Sequence, residues 1–148
     1  MRCGGGALRV VVDTDIWVSG LIASGSRPRR VIDAVRTGRV TAVARWELAE
    51  EIAEVLTRPA LARRYAIDET DRNEILSLLQ PLLPKVEIAV TLRDPTDAPV
   101  VASALTGGAE AIVTGDRDLL DDAPLREWLS DRGVRVLTAA DLLELLRP

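Results

Sequence analysis

Carboxylates follow apolar, β-branched runs at two separate places in this chain. Asp13 ends the run Leu8–Asp13 and opens Asp13-Thr14-Asp15, and Asp116 follows Ile112-Val113-Thr114-Gly115, with Asp118 two residues on. Asp97 stands ahead of the apolar stretch Ala98–Thr106, after Arg93-Asp94-Pro95-Thr96, and Glu51 lies in the acidic stretch Trp46–Leu56. Each has an adequate bland role by itself. Asp13, Asp97 and Asp116 would serve as caps of the helices that follow them, and Glu51 as part of a solvated face. Two strands delivering acids to one edge of a sheet ask for more. Carboxylates brought within a few ångströms repel, so one or more takes up a proton unless a cation sits among them. A bound Mg²⁺ removes that repulsion, lowers the pKa of a coordinated water and neutralises charge on a phosphate. Phosphodiester hydrolysis is the reaction that most needs those three effects.

Composition removes the other routes to a nucleophile. The 148 residues contain no His, which excludes a Ser-His-Asp triad, a His general base and His-ligated zinc. The one cysteine, Cys3, makes neither an internal disulfide nor a thiolate cluster, and Lys85 is the only lysine. A lone thiol fits a reducing, cytoplasmic setting. The 23 acidic residues outnumber 19 basic ones, for a net charge of −4, so no surface-wide grip on nucleic acid is expected. Arg27, Arg29, Arg30, Arg36 and Arg39 form a local basic patch, read first as a solvated face. No signal-peptide core is visible, and no run approaches the roughly 18 apolar residues a membrane span needs.

Positioning those acids requires strands that end where helices begin. Short apolar runs at Leu8–Asp13, Val40–Val43, Val86–Ile88, Ala111–Thr114 and Val134–Leu137 read as buried strands. Helical patterns lie around Arg29–Arg36, Trp46–Leu56, Glu69–Leu83, Ala98–Thr106, Leu125–Asp131 and Ala139–Leu146. Gly38, Gly107-Gly108 and Gly133 fall where helices end. Alternating strands and helices predict a mostly parallel sheet covered on both faces, one doubly wound α/β domain over residues 8–148. Residues 1–7, with three consecutive glycines, read as a disordered leader. In such sheets ligands bind beyond the carboxyl ends of the strands, where Asp13 and Asp116 stand. On the helix Trp46–Leu56, at about 100° per residue, Leu48, Ile52, Val55 and Leu56 define the buried stripe. Glu51 lies nearest to it, roughly 80° from its centre, with Glu47, Glu54 and Glu50 progressively further round. Trp17, Trp46 and Trp128 read as core or interface residues before stacking platforms.

Four segments together resemble a known family. These are Val11–Ser19, the helix Leu48–Leu56, Arg93–Asp97 with Val100–Ala104, and Thr114–Leu120. The chain resembles PIN domains from about Leu8 to Leu146, and within them the toxin components of bacterial toxin–antitoxin systems, similar to VapC ribonucleases. The resemblance implies a three-layer α/β/α fold with a five-stranded parallel sheet in order 3-2-1-4-5. It implies an endoribonuclease using Mg²⁺ or Mn²⁺ in an acidic pocket, an RNA substrate and a small antitoxin protein partner, and it allows a homodimer. Matched position by position, Asp13, Glu51, Asp97 and Asp116 are the family's core acids, with Asp13, Asp97 and Asp116 as metal ligands. Asp118 matches an accessory acidic position and Thr114 a hydroxyl position beside it, while Asp94 is placed as a loop-shaping residue. Asp15 is a departure, since the family usually carries Asn there.

That departure opens a rival reading. Asp13-x-Asp15 after an apolar strand is also how haloacid-dehalogenase-type phosphatases begin, the first Asp as nucleophile and the second as general acid. Ile16-Trp17 then stands where that family favours Gly and Thr, and Glu51 and Asp97 have no role. A non-catalytic RNA- or protein-binding module with this fold is the other alternative, although a dead site has no need to keep four acids. A phosphoacceptor receiver domain would want a Lys after its fifth strand, and Lys85 is elsewhere.

Overall fold

The computed structural model describes residues 8–82 and 98–147. The first strand, β1 (Leu8–Val12), carries Val10, Val11 and Val12 at no more than 1% exposure, so both of its faces are covered. A strand with two buried faces reads as a continuous apolar run, and this is why Leu8–Val12 does not alternate. Asp13 then caps α1 (Thr14–Ile22), and Ser26 caps α2 (Arg27–Arg36). The chain returns through β2 (Val40–Arg45) into α3 (Trp46–Leu56), α4 (Pro59–Tyr65) and α5 (Glu69–Leu78). A short strand β3 (Leu79–Leu82) follows directly. After the gap come α6 (Ala98–Gly107), β4 (Ala111–Val113), α7 (Arg117–Leu120), α8 (Ala123–Ser130), β5 (Arg135–Leu137) and α9 (Ala139–Leu145).

The body of the sheet is four parallel strands in spatial order β2-β1-β4-β5, and β3 adds to the edge of β2 to give β3-β2-β1-β4-β5. Val10 pairs with Ala42 on one side and Ala111 on the other, so β1 is central. Val12 is level with Val113, which brings the carboxyl ends of β1 and β4 side by side. Helices flank the sheet: α6 packs across β1, β2 and β4, while α2 lies on β2 and α9 on β5. The core is almost wholly aliphatic, as expected from a chain without Phe, with Ile32, Leu48, Ile52, Ile75, Ile112, Leu119, Leu125 and Leu142 all fully buried. Trp17 is also fully buried and its indole N–H donates to the Val12 carbonyl at 3.1 Å, so it is a core residue and not a stacking platform. Trp128 is half-buried beneath the Arg132 guanidinium.

The elements depart from the sequence pattern at the end of α5 and at α1. The helix expected over Glu69–Leu83 stops at Leu78, and residues 79–82 pair with β2 instead. Pro81 cannot supply the amide hydrogen a helix interior needs, but it is tolerated in an edge strand. The strand expected at Val86–Ile88 lies outside the described residues, as do the leader 1–7, Asp94 and Asp97. Helix α1 gives little periodic signal, because Ile16, Trp17, Val18, Leu21 and Ile22 spread apolar side chains around most of it. Its packing explains the glycine: a Cβ at Gly20 would collide with Ile32 of α2. Among the described residues no helix is long and apolar enough to cross a membrane.

Candidate active site

Asp13 occupies the junction between strand and helix. Its backbone N–H still follows the sheet ladder, donating to the Val113 carbonyl at 2.9 Å, while its side chain caps α1. One carboxylate oxygen accepts from the Thr14 N–H at 2.8 Å and the other from the Thr114 hydroxyl at 2.7 Å. Only 8% of the residue is exposed. Burial pushes its pKa from 3.8 up to about 6, with the neighbouring charges of Asp15 and Glu51 adding to the rise; the Thr114 hydroxyl and the Thr14 amide oppose it.

Thr114 is the hub of this arrangement. It is fully buried at the end of β4, and its Oγ1 donates to Asp13 while accepting the Asp116 N–H at 2.9 Å. The same residue that orients the Asp13 carboxylate therefore fixes the backbone from which Asp116 projects. Asp116 in turn accepts from the Asp118 N–H at 2.9 Å, which opens the short helix α7. Asp118 contributes that backbone group, and its side chain is exposed and outside the cleft.

Two further acids approach from α1 and α3. The Asp15 carboxylate reaches across to accept from the Gly115 N–H at 2.9 Å. Burial of that carboxyl raises its pKa, and the nearby charge of Asp116 raises it further. Glu51 accepts from the Thr14 hydroxyl at 2.5 Å, which ties α3 to the first turn of α1. A continuous chain of hydrogen bonds thus links Glu51, Thr14, Asp13, Thr114 and Asp116.

These groups line one open cleft of about 510 Å³ bounded by Asp13, Thr14, Asp15, Val18, Ser19, Glu51, Val55 and Asp116. Of the acids singled out from the sequence, Asp13, Asp15, Glu51 and Asp116 come together there, and Asp97 lies outside the described residues. Sequence reasoning missed Thr14, Val18, Ser19 and Val55. The signal for Ser19 was available, since it lies one helical turn beyond Asp15 on the same face of α1. A second cavity, about 590 Å³, lies between α2 and α9 and is lined by Arg30, Asp33, Arg39 and Arg147 among others. Its one acid, Asp33, is ion-paired with Arg36 and Arg29, so it gathers no set of carboxylates.

The donor set of the acidic cleft is oxygen alone, which suits a hard divalent cation and no softer metal. Burial, and after it the neighbouring carboxylates, raise the pKa values of Asp13 and Asp15, a condition such a cation relieves. Among the described residues no group of three or more Asp, Glu, Cys or His is drawn together closely enough to hold a metal ion. Mg²⁺ takes few protein carboxylates and keeps several waters, so the fit of these residues to such an ion rests on their oxygen donors and not on a preformed cage.

A family model described as PIN domain matches residues 9–118, more than half of the 148-residue chain. No curated protein matches the chain.

Proposed function

The chain belongs to the PIN-domain family, whose fold is of nuclease type, and from that premise we propose that it is a divalent-metal-dependent endoribonuclease, the toxin of a toxin–antitoxin pair. The observation that carries this reading is the gathering of Asp13, Asp15, Glu51 and Asp116 from three separate elements into one cleft. Asp13 and Asp116, with Asp97, would hold Mg²⁺ or Mn²⁺. Such an ion, when bound, supplies an acidified water and a positive charge for the phosphate.

The remaining roles belong to the chain. Thr114 holds Asp13 and the Asp116 backbone in one register, so the two acids present a fixed pair of oxygens to the cleft. Glu51, kept in place by the Thr14 hydroxyl, faces the cleft from α3 and is suited to accept a proton from the attacking water. Asp15 adds a fourth acceptor whose position is set by the Gly115 amide. A phosphatase using Asp13 as nucleophile would leave Glu51 without work, although it stands in the cleft.

The test is cleavage of a single-stranded or structured RNA by purified protein. Activity is expected with Mg²⁺ or Mn²⁺ and lost on adding EDTA. Asp116→Asn and Asp97→Asn are each expected to remove most of it. Cleavage that survives chelation and both substitutions would overturn the assignment. The toxin role is tested separately, by growth arrest on induced expression that is relieved when a small neighbouring open reading frame is co-expressed.

A further inference from the structure

An acidic cleft alone repels the substrate it is to cut. A polyanion binds where cations lie beside such a cleft, and for single strands also where a ring can stack on a base. The structure has such a place. A second groove, about 480 Å³, shares Val18 and Val55 with the acidic cleft and continues from it over Arg58, Leu61, Arg64 and Tyr65. The two therefore adjoin across Val18 and Val55, acidic on one side and basic and aromatic on the other.

Tyr65 is the only tyrosine of the chain and stands 38% exposed at the end of α4, where a buried partner for its ring would be expected if it served the core. Arg64 lies over that ring at 5.4 Å from its centre, so the cation and the π-face are presented together. Arg58 lines the same groove, and its guanidinium is paired with the exposed Glu54 in a contact that a phosphate can replace. Val18, Val55 and Leu61 supply an apolar floor. In a chain of net charge −4, two guanidinium groups and an exposed ring meeting at the mouth of the acidic cleft form a local exception to the overall charge.

We propose that this groove receives the nucleotides on one side of the scissile bond of a single-stranded RNA, a base stacking on Tyr65 and the adjoining phosphates meeting Arg64 and Arg58. The inference rests on the nuclease reading of the acidic cleft and adds a substrate form to it: an unpaired strand, because a base buried in a duplex offers no free face to Tyr65. Arg64 and Tyr65 are binding residues in this scheme and touch no reacting atom.

The experiment compares wild type with Tyr65→Ala, Tyr65→Phe and Arg64→Gln on a labelled single-stranded RNA oligonucleotide and on a dinucleotide, with Mn²⁺ present. On the oligonucleotide Tyr65→Ala is expected to raise KM about tenfold or more with kcat little changed, and Tyr65→Phe to restore it, since the ring keeps its face. Arg64→Gln should lower the salt dependence of binding by about 0.7 in log–log slope, one phosphate contact on a single strand. On the dinucleotide, too short to fill the groove, all four proteins should behave alike. Thermal melts check that each variant folds. Wild-type cleavage with unchanged KM in Tyr65→Ala and Arg64→Gln would overturn the groove while leaving the nuclease reading intact, and would turn attention to a protein partner for this surface. Should the wild type cut nothing, anisotropy of the same oligonucleotide decides the groove on its own. Binding weakened by Tyr65→Ala and rescued by Phe supports it, and equal binding by all four proteins overturns it.

Discussion

Replacing Asp13 by Asn should make the metal-free protein more stable at neutral pH while abolishing its chemistry. The folded protein holds a proton on Asp13 up to about pH 6, whereas the unfolded chain releases it near 3.8. As pH rises through that window the unfolded state gives up its proton first, so stability contributed by neutral Asp13 is present below about 4 and is gone above about 6. At 1.36 kcal/mol for each tenfold change in proton affinity, the ionised carboxylate costs the fold about 3 kcal/mol at pH 8. Asn removes that cost but offers one acceptor oxygen where the carboxylate used two, so the bond from either the Thr14 amide or the Thr114 hydroxyl is lost. A deduction of about 1 kcal/mol for it leaves a net gain of about 1–2 kcal/mol.

The measurement is urea or thermal denaturation of both proteins in EDTA from pH 4 to pH 8. The melting temperature of Asp13→Asn should exceed that of the wild type by about 5 °C at pH 8, and the difference should vanish or reverse near pH 4. A cation at a hundred times its dissociation constant restores about 2.7 kcal/mol to the wild type and nothing to the variant. That amount is close to the penalty itself, which is how a site can be poorly stable empty and well ordered when loaded. A variant no more stable at pH 8, or a difference that does not change with pH, would refute the reasoning.

Two other substitutions separate the enzyme classes. Asp15→Asn keeps the acceptor that the Gly115 amide uses, so RNA cleavage should stay within about tenfold, whereas Glu51→Gln should cripple it by roughly 10²-fold or more. Both are assayed on an RNA oligonucleotide and an aryl phosphate, and the opposite pattern would favour the phosphatase chemistry. Thr114→Val removes the buried hydroxyl that joins Asp13 to the Asp116 backbone, and should destabilise the fold by about 1–3 kcal/mol in urea titrations. The same change withdraws a bond that favours ionised Asp13, so the fall in stability should still begin near pH 4 but continue to a higher pH; an unmoved upper end would mean the bond is not formed in solution.

What could be read from sequence followed the regularities that physics imposes there. Asp13 and Asp116 were legible because parallel strands are buried on both faces and end in ligand-binding edges. Glu51 was legible because a helical wheel put it nearest the buried stripe, and the structure finds Glu54 and Glu47 turned to Arg58 and Arg45 instead. Thr14 was not legible, since a single hydroxyl bond to a residue 37 positions away leaves no periodic trace. The end of α5 was misread because Leu79, Leu82 and Leu83 prolong a helical pattern that Pro81 forbids. Arg45, buried at the end of β2 and paired with Glu47, was passed over because a charged residue in an apolar run looks like a strand boundary.

Asp15 shows how a departure from a family pattern can be absorbed locally. Asn at this position would offer one oxygen to the Gly115 amide, and Asp offers the same oxygen at 2.9 Å. The approach depends on the glycine: a Cβ on residue 115 would stand 2.7 Å from that oxygen, so any larger residue would drive the carboxylate away. Geometry is therefore conserved by the pair Asp15 and Gly115 together, and the difference from Asn is one negative charge. That charge adds to the elevation of Asp13, which makes the empty cleft less favourable and a bound cation more so. In the proposed nuclease the departure would act on the strength of cation binding and not on the shape of the site.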